Sequence, residues 1–497
     1  MKTSTKTSTT TRILLLLLTL AMTVSVFAGC KTQTNGSETD SEGTTAGTQD
    51  TGTAEIVPDF EPFDYDTDIT ILQNDNTNGS INREEWNSEE AENENLEYAL
   101  IDKIDYLETK YGITFNFRYR TKVDVGGTLS NEIMTNQGTY DIINFPLLQT
   151  STLASQGLLY SLTDVENIDL SKPWWNQQLN EDVAYNGDNF FAVGNSNLTS
   201  MWTAGCVFFN KQLAEGVGYN YNSIYQMVTD HTWTLEKLLE ISQDAWQEKD
   251  GENGKTAGDI FGIAQTAGGW YTAFYGSGIK FVSASDNGDF VLNSVDQTVI
   301  DYLEMIIEYE NNEEISFVDT KHEGTDTWGK FTNGEALFLV EFIAVSTNAK
   351  KSSVDYGILP SPLATAGQTS YYTTIHTGHS SCFAIPTDIW DGDLPMLGKI
   401  IEEANYISRK EVWPEMYDTL LKGQIARDPQ SADILDVIFD NLSVDCMLIY
   451  APVLDTTIRA LIKKGDTSNI KSTLDGVVPN AEAQLLNINN AYKDKIQ

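Results

Sequence analysis

Cations are scarce in this sequence: 31 Lys and Arg stand against 72 Asp and Glu, a formal net charge of −41. Such a surface repels nucleic acid and anionic lipid, both of which need basic patches. It also collects phosphorylated or polyanionic molecules poorly unless one local basic pocket overrides the average, so neutral or cationic ligands are favoured. Histidine is rarer still, with four in the chain, and the pair in His376-Thr377-Gly378-His379 has no further ligands at metal spacing. No metal site is expected, and His376 is kept only as a candidate ligand contact. The four cysteines include Cys30 near the start, which leaves Cys206, Cys382 and Cys446 scattered through the body without a CxxC pair. These three are expected to be small buried hydrophobes. The chain has no GxSxG elbow and no glycine-rich phosphate loop, so neither a hydrolase nucleophile nor a nucleotide cofactor is expected. After the apolar run from Ile13 to Ala28, no segment approaches the roughly 20 residues of a membrane-spanning helix.

That run is itself too short to span. Lys2, Lys6 and Arg12 precede it and the small pair Ala28-Gly29 follows, the order of a secretory signal. Because the small pair abuts Cys30, the segment resembles the lipobox of bacterial lipoproteins, which implies acylation of Cys30 and a membrane attachment through lipid. Residues 1–29 are therefore expected to be removed. Residues 30–65, rich in Thr, Ser, Gly, Asp and Glu, have little to bury and read as a flexible tether. Processing would delete three cations and no acid, and 28 − 72 gives a net charge of −44.

The body from residue 66 is long enough for two domains or lobes. ITILQN reads as a strand, and Leu96, Leu100, Ile104, Leu107 and Tyr111 recur at helical spacing until Gly112 stops them. Ile113, Phe115, Phe117 and Tyr119 then alternate as a strand, which completes a strand, helix, strand opening of an α/β layer. YDIINF, NFFAVG and CVFFN are further expected strands. TWTLEKLLEISQDAW, DYLEMIIEYEN, EEANYISRKEVW and SADILDVIFDNL are expected helices, the first capped by Thr234. No internal repeat stands out.

Six local patterns occur in order: Tyr140-Asp141-Ile142, GLLYSL from Gly157, FFNKQL from Phe208, TWTLEKL from Thr232, FTNGEALF from Phe331 and YGILPSP from Tyr356. Behind the lipobox and tether, this series resembles the extracellular solute-binding proteins of bacterial ABC importers, especially the carbohydrate-type family. The resemblance implies a two-lobed α/β fold of the periplasmic-binding-protein type, with a cleft that closes on solute. It places residues 66–196 and 361–410 in one lobe and residues 197–360 and 411–497 in the other. Crossovers are expected near Asn195 to Trp202, Leu359 to Leu363 and Arg409 to Trp413. It further implies a small polar solute, a saccharide being the expected class, and a permease and ATPase on separate chains. The protein would be an extracellular, lipid-anchored monomer with no reaction of its own. The rival readings are a lipid-anchored glycoside hydrolase, which needs two carboxylates about 5–9 Å apart, and a surface sensor or adhesin on the same fold.

A sugar cleft needs aromatic faces for the ring and planar polar groups for the hydroxyls. In open α/β sheets, ligands sit beyond the carboxyl ends of strands. The loops after the expected strands offer Asp75, Asn78 and Trp86, then Asn144, then Asn197 and Trp202. AGGWYTAFYGSG offers Trp270 and Tyr271 on a loop behind two glycines, with Trp270 the foremost stacking candidate. The family's usual tryptophan is missing after the FTNGEALF strand, where Glu341 stands as a hydrogen-bonding carboxylate instead. Trp174-Trp175, Trp328 and Trp413 are expected in the packing.

Overall fold

The computed structural model describes residues 57–58, 60–75, 85–86, 94–252, 256–266, 269–313, 315–318 and 327–496. The signal, Cys30, most of the tether and Asn78 lie outside these residues. Two sheets organise the body. In the first, β1 (Thr67–Asn74) lies between β2 (Ile113–Arg120) and β3 (Ile142–Pro146), parallel to both, and β12 (Ser381–Ala384) runs antiparallel along β3. Its register is set by alternation along β1. Ile69 and Ile71 face Trp86, Leu107 and Ile142, whereas Leu72 belongs to the core on the opposite face.

The second sheet has the order β10-β4-β9-β5-β8. β4 (Gly205–Asn210) is antiparallel to β9 (Ala336–Phe342) and β10 (Tyr356–Pro360), and β5 (Phe261–Gln265) is parallel to β9 and β8 (Ser316–Val318). A hairpin of β6 (Val282–Ala284) and β7 (Phe290–Leu292) and a short parallel pair of β11 (Thr373–Thr374) and β13 (Leu442–Ser443) complete the strands described. Local chemistry fixes the joints. The Asn210 and Thr234 side chains accept from the Leu213 and Lys237 amides, at 3.1 and 3.2 Å, and so cap the helices Lys211–Gly216 and Leu235–Gln243. Trp233 is fully buried, donates from Nε1 to the Pro360 carbonyl at 3.0 Å and packs on Phe338. Gly334, at φ +74°, makes the left-handed turn from the helix Thr327–Thr332 into β9.

Three readings change. NFFAVG is no strand: Phe190 to Val193 are buried, but Ala192 makes a single bridge to Phe383. The reason is a side chain, because the Asn180 amide bonds both N–H and C=O of Val193 and so replaces a neighbouring strand. In EEANYISRKEVW the α-helix ends at Ile407, and wider turns follow over Ser408–Val412. There Ser408 Oγ bonds Ser196 Oγ at 2.8 Å and accepts from Lys103 Nζ at 3.3 Å. Finally, the helix Glu94–Tyr111 buries Lys103 beside its leucines, while Ile104 is only partly covered.

Trp174 and Trp175 are packing residues and share one acceptor, donating from their indole nitrogens to the Glu402 carboxylate at 2.9 Å each. Burial, reinforced by the Asp169 charge, outweighs those bonds and pushes Glu402 up from 4.5 to about 7. Between those values the folded chain holds more protons than the unfolded one. Stability is therefore expected to fall as pH rises through that window, by up to roughly 3 kcal/mol. Asp445, pushed up to about 6 by burial, adds a slope of the same sign. Urea unfolding from pH 4.5 to 7.5 should show Glu402→Gln with a shallower decline; an unchanged slope would remove Glu402 from this account.

Candidate functional site

The carboxyl ends of the parallel strands in both sheets meet one loop, residues 375–381. Leu147 and Leu148, just beyond β3, donate their amides to the Ser380 and Thr377 carbonyls at 2.9 and 3.0 Å. Ala204, leading into β4, bridges Ile375. From the second sheet, the segment after β5 forms the helix Gly269–Tyr275, and Tyr271 Oη donates to the Ile375 carbonyl at 3.3 Å. Trp270 and Tyr271 thus sit on a first helical turn, where the glycine-flanked sequence suggested a loop. The short apolar-aromatic run GWYTAFY buries every one of its residues.

An aromatic wall results. The Tyr271 ring stacks on His376 with centroids 5.4 Å apart and planes at 21°. Phe342, at the end of β9, meets both rings edge-on at 6.3 and 5.7 Å, and Trp270 lies 6.1 Å from Tyr271. Arg459 from the helix Pro452–Lys464 places its guanidinium 5.1 Å from the Trp270 centroid and 5.6 Å from that of Tyr271. Asp455, one turn earlier, fixes that guanidinium at 2.7 Å and accepts from Tyr275 Oη at 2.8 Å. Beyond β2, Lys122 donates from Nζ to His379 Nδ1 at 3.0 Å, and the His379 ring touches His376 at 4.6 Å. The Gly378 amide donates to His376 Nδ1 at 3.2 Å. The Nδ1 lone pairs of both histidines are thus already engaged by donors.

A second group of the expected residues gathers around Glu85. Its buried carboxylate accepts from the Thr199 amide and hydroxyl at 2.6 and 2.7 Å, from Ser381 Oγ at 2.6 Å and from Asn144 Nδ2 at 2.7 Å. Asn197 Nδ2 donates to Asn144 Oδ1 at 2.8 Å. Both amides are therefore committed within the protein. Trp86 is fully buried between Phe115 and Phe383, with Lys103 Nζ over its ring at 4.4 Å, and leaves no face open. The same Lys103 donates to the Glu85 carbonyl at 3.1 Å, and burial lowers its pKa to about 7 while it raises that of Glu85. Trp202 is buried on the short helix Leu198–Trp202.

The other two candidates sit at strand ends. Asp75 follows β1 and donates its amide to the Arg120 carbonyl at 2.7 Å. Glu341 precedes Phe342 on β9, 7 % exposed, and accepts from the Phe342 amide at 2.9 Å. Of the sequence candidates, then, the structure joins Trp270, Tyr271 and His376 in one wall and joins Trp86, Asn144 and Asn197 in another cluster, while alternation along β9 turns the Glu341 side chain to the face opposite Phe342. Sequence reading passed over Lys122, Tyr275, Phe342 and Arg459 as site residues. The Asp455-Arg459 spacing of four on a helix was the one legible signal among them.

Residues 104–388 match the family described as bacterial extracellular solute-binding protein. No curated protein sequence matches the chain. Among solved structures, an ABC substrate-binding protein from Listeria monocytogenes in complex with cycloalternan is similar at 14% identity, TM-score 0.52, over 86% of this chain and 99% of that one. The UgpB protein of Mycobacterium tuberculosis, in complex with glycerophosphocholine, is similar at 13% identity and TM-score 0.52, over 78% and 95%. The GacH receptor of Streptomyces glaucescens, solved unliganded and with acarbose, is similar at 13% identity and TM-score 0.50, over 86% and 98%. At such identities the likeness concerns the fold, which is the two-lobed α/β class expected from the sequence. The matched family is one of binding proteins and not of hydrolases, which sets the glycosidase alternative aside. By a family match that spans more than half its length, the chain belongs to the bacterial extracellular solute-binding proteins.

Proposed function

We propose that this protein captures a saccharide between two lobes and delivers it to an ABC importer whose permease and ATPase are separate chains. The observation that carries this reading is the aromatic wall of Trp270, Tyr271, Phe342 and His376, set where the strand ends of both sheets converge on residues 375–381. Aromatic faces suit the C–H faces of a sugar ring, and the similar structures bound to cycloalternan and acarbose support that class of solute. The lobes would comprise residues 66–196 with 361–410, and 197–360 with 411–497. A solute that touches both favours the closed arrangement by its differential affinity.

The protein would act as a monomer held at the outer face of the cell membrane by lipid on Cys30. No helix among the described residues is long and apolar enough to cross a membrane. Cys30→Ala is accordingly expected to shift the protein from the membrane fraction to the medium; retention in the membrane would rule out that anchor. The solute is tested by thermal shift against mono- and oligosaccharides, polyols, amino acids and short peptides. A ligand at a hundredfold excess over its dissociation constant contributes about 2.7 kcal/mol. A sugar that stabilises the protein and is recovered unaltered supports the reading, whereas stabilisation by peptides or amino acids alone removes the carbohydrate assignment.

A further inference from the structure

One corner of the wall gathers hydrogen-bond donors with no carboxylate among the described residues to accept from them. Lysine only donates, so the Lys122 Nζ contact at 3.0 Å makes His379 Nδ1 the acceptor and leaves the ring proton on Nε2. The Gly378 amide, donating to His376 Nδ1 at 3.2 Å, likewise puts the His376 proton on Nε2. The donors on Nδ1 and the burial of both rings favour their neutral form. Burial first, then His379, Lys122 and Arg459, push His376 down to about 3, and burial with Lys122 pushes His379 down to about 4. Three groups thus carry N–H donors, one of them a half-buried ammonium, and among the described residues no carboxylate accepts from any of the three. The nearby Asp455 does not serve them, because it is committed to Arg459 and Tyr275.

This arrangement stands out in a chain with 72 acidic residues against 31 basic ones, where a lysine ordinarily finds a carboxylate. A neutral sugar hydroxyl both donates and accepts and uses such a corner only in part. A carboxylate accepts alone, through two oxygens, and its bond to an ammonium is charge-assisted. The overall negative field further favours a singly charged carboxylate over a doubly charged phosphate.

We infer that the solute is an acidic saccharide of the uronate class, its carboxylate held by Lys122 and by Nε2–H of His376 and His379 while its ring lies on the aromatic wall. This rests on the receptor reading given above and adds the charge of the solute. The test is titration calorimetry of the protein with glucuronate, galacturonate and their oligosaccharides, with the neutral glucose and galactose counterparts, and with glucose 6-phosphate. A uronate is expected to bind about tenfold or more tightly than its neutral counterpart, and the advantage should shrink as salt screens it. Lys122→Met should abolish that advantage and Lys122→Arg should keep most of it, with the unliganded melting temperature showing that both variants fold. Equal or tighter binding of the neutral sugar overturns the inference and leaves the receptor reading intact. Preference for the sugar phosphate overturns the carboxylate assignment, and binding of none of these saccharides counts against both readings.

Discussion

Replacing Glu85 by alanine is expected to lower the unfolding free energy by about 3–5 kcal/mol. The carboxylate is buried, and its four donors come from separate parts of the chain: the Thr199 amide and hydroxyl, Ser381 and Asn144. Alanine leaves the Thr199 amide and Asn144 Nδ2 facing an apolar methyl and the Thr199 and Ser381 hydroxyls with only each other, 2.9 Å apart, and a buried donor without an acceptor costs about 1–3 kcal/mol. Glu85→Gln keeps one acceptor oxygen and gives Ser381 Oγ a donor to accept from, so a smaller loss of about 1–2 kcal/mol is expected. Urea unfolding at pH 7 measures both. Equal losses for the two variants, or a loss below 1 kcal/mol for alanine, would show that the network does not hold this segment. Because Thr199 lies between β3 and β4, where the chain passes from one sheet to the other, the Glu85 network also fixes the path of that connection.

Much of this scaffold was legible in the sequence, for reasons that are local. Leu96, Leu100, Leu107 and Tyr111 repeat at helical spacing because one helix face meets the sheet, and all four are buried. Thr234 announced a cap because it acts only three residues ahead, on the Lys237 amide. Where partners are distant, local pattern fails. Lys103 reads as a solvent-facing lysine, yet it is buried against Trp86 and Ser408, and no local rule places residue 408 beside residue 103. The Asn180 amide that replaces a strand beside Val193 is equally invisible in a two-residue alternation. The same limit governs the site. Trp270 and Tyr271 drew notice through their glycines, but Lys122 and His379 are 257 positions apart and become a pair only in the fold.

Truncation of Trp270 is expected to have the largest effect on binding. In Trp270→Ala the affinity for the saccharide should fall by about 2–3 kcal/mol, a factor of roughly 30 to 150, as for a buried aromatic at the centre of a contact. The indole is 3 % exposed and carries the Arg459 guanidinium at 5.1 Å, so its loss also opens a cavity and releases that side chain. A drop in stability of about 3–5 kcal/mol should accompany the loss of affinity. Stability alone would therefore mislead, and the comparison that separates the two is Trp233→Ala. Trp233 is fully buried under the second sheet, against Phe338 and the Pro360 carbonyl, and has no part in the aromatic wall. Its truncation should cost a similar amount of stability while affinity, measured well below the melting transition, stays within about twofold of the parent protein. If both variants lose affinity equally, the effect of Trp270 is packing and the wall is not the sugar platform. If Trp270→Ala alone loses it, the wall that the indole backs recognises the solute.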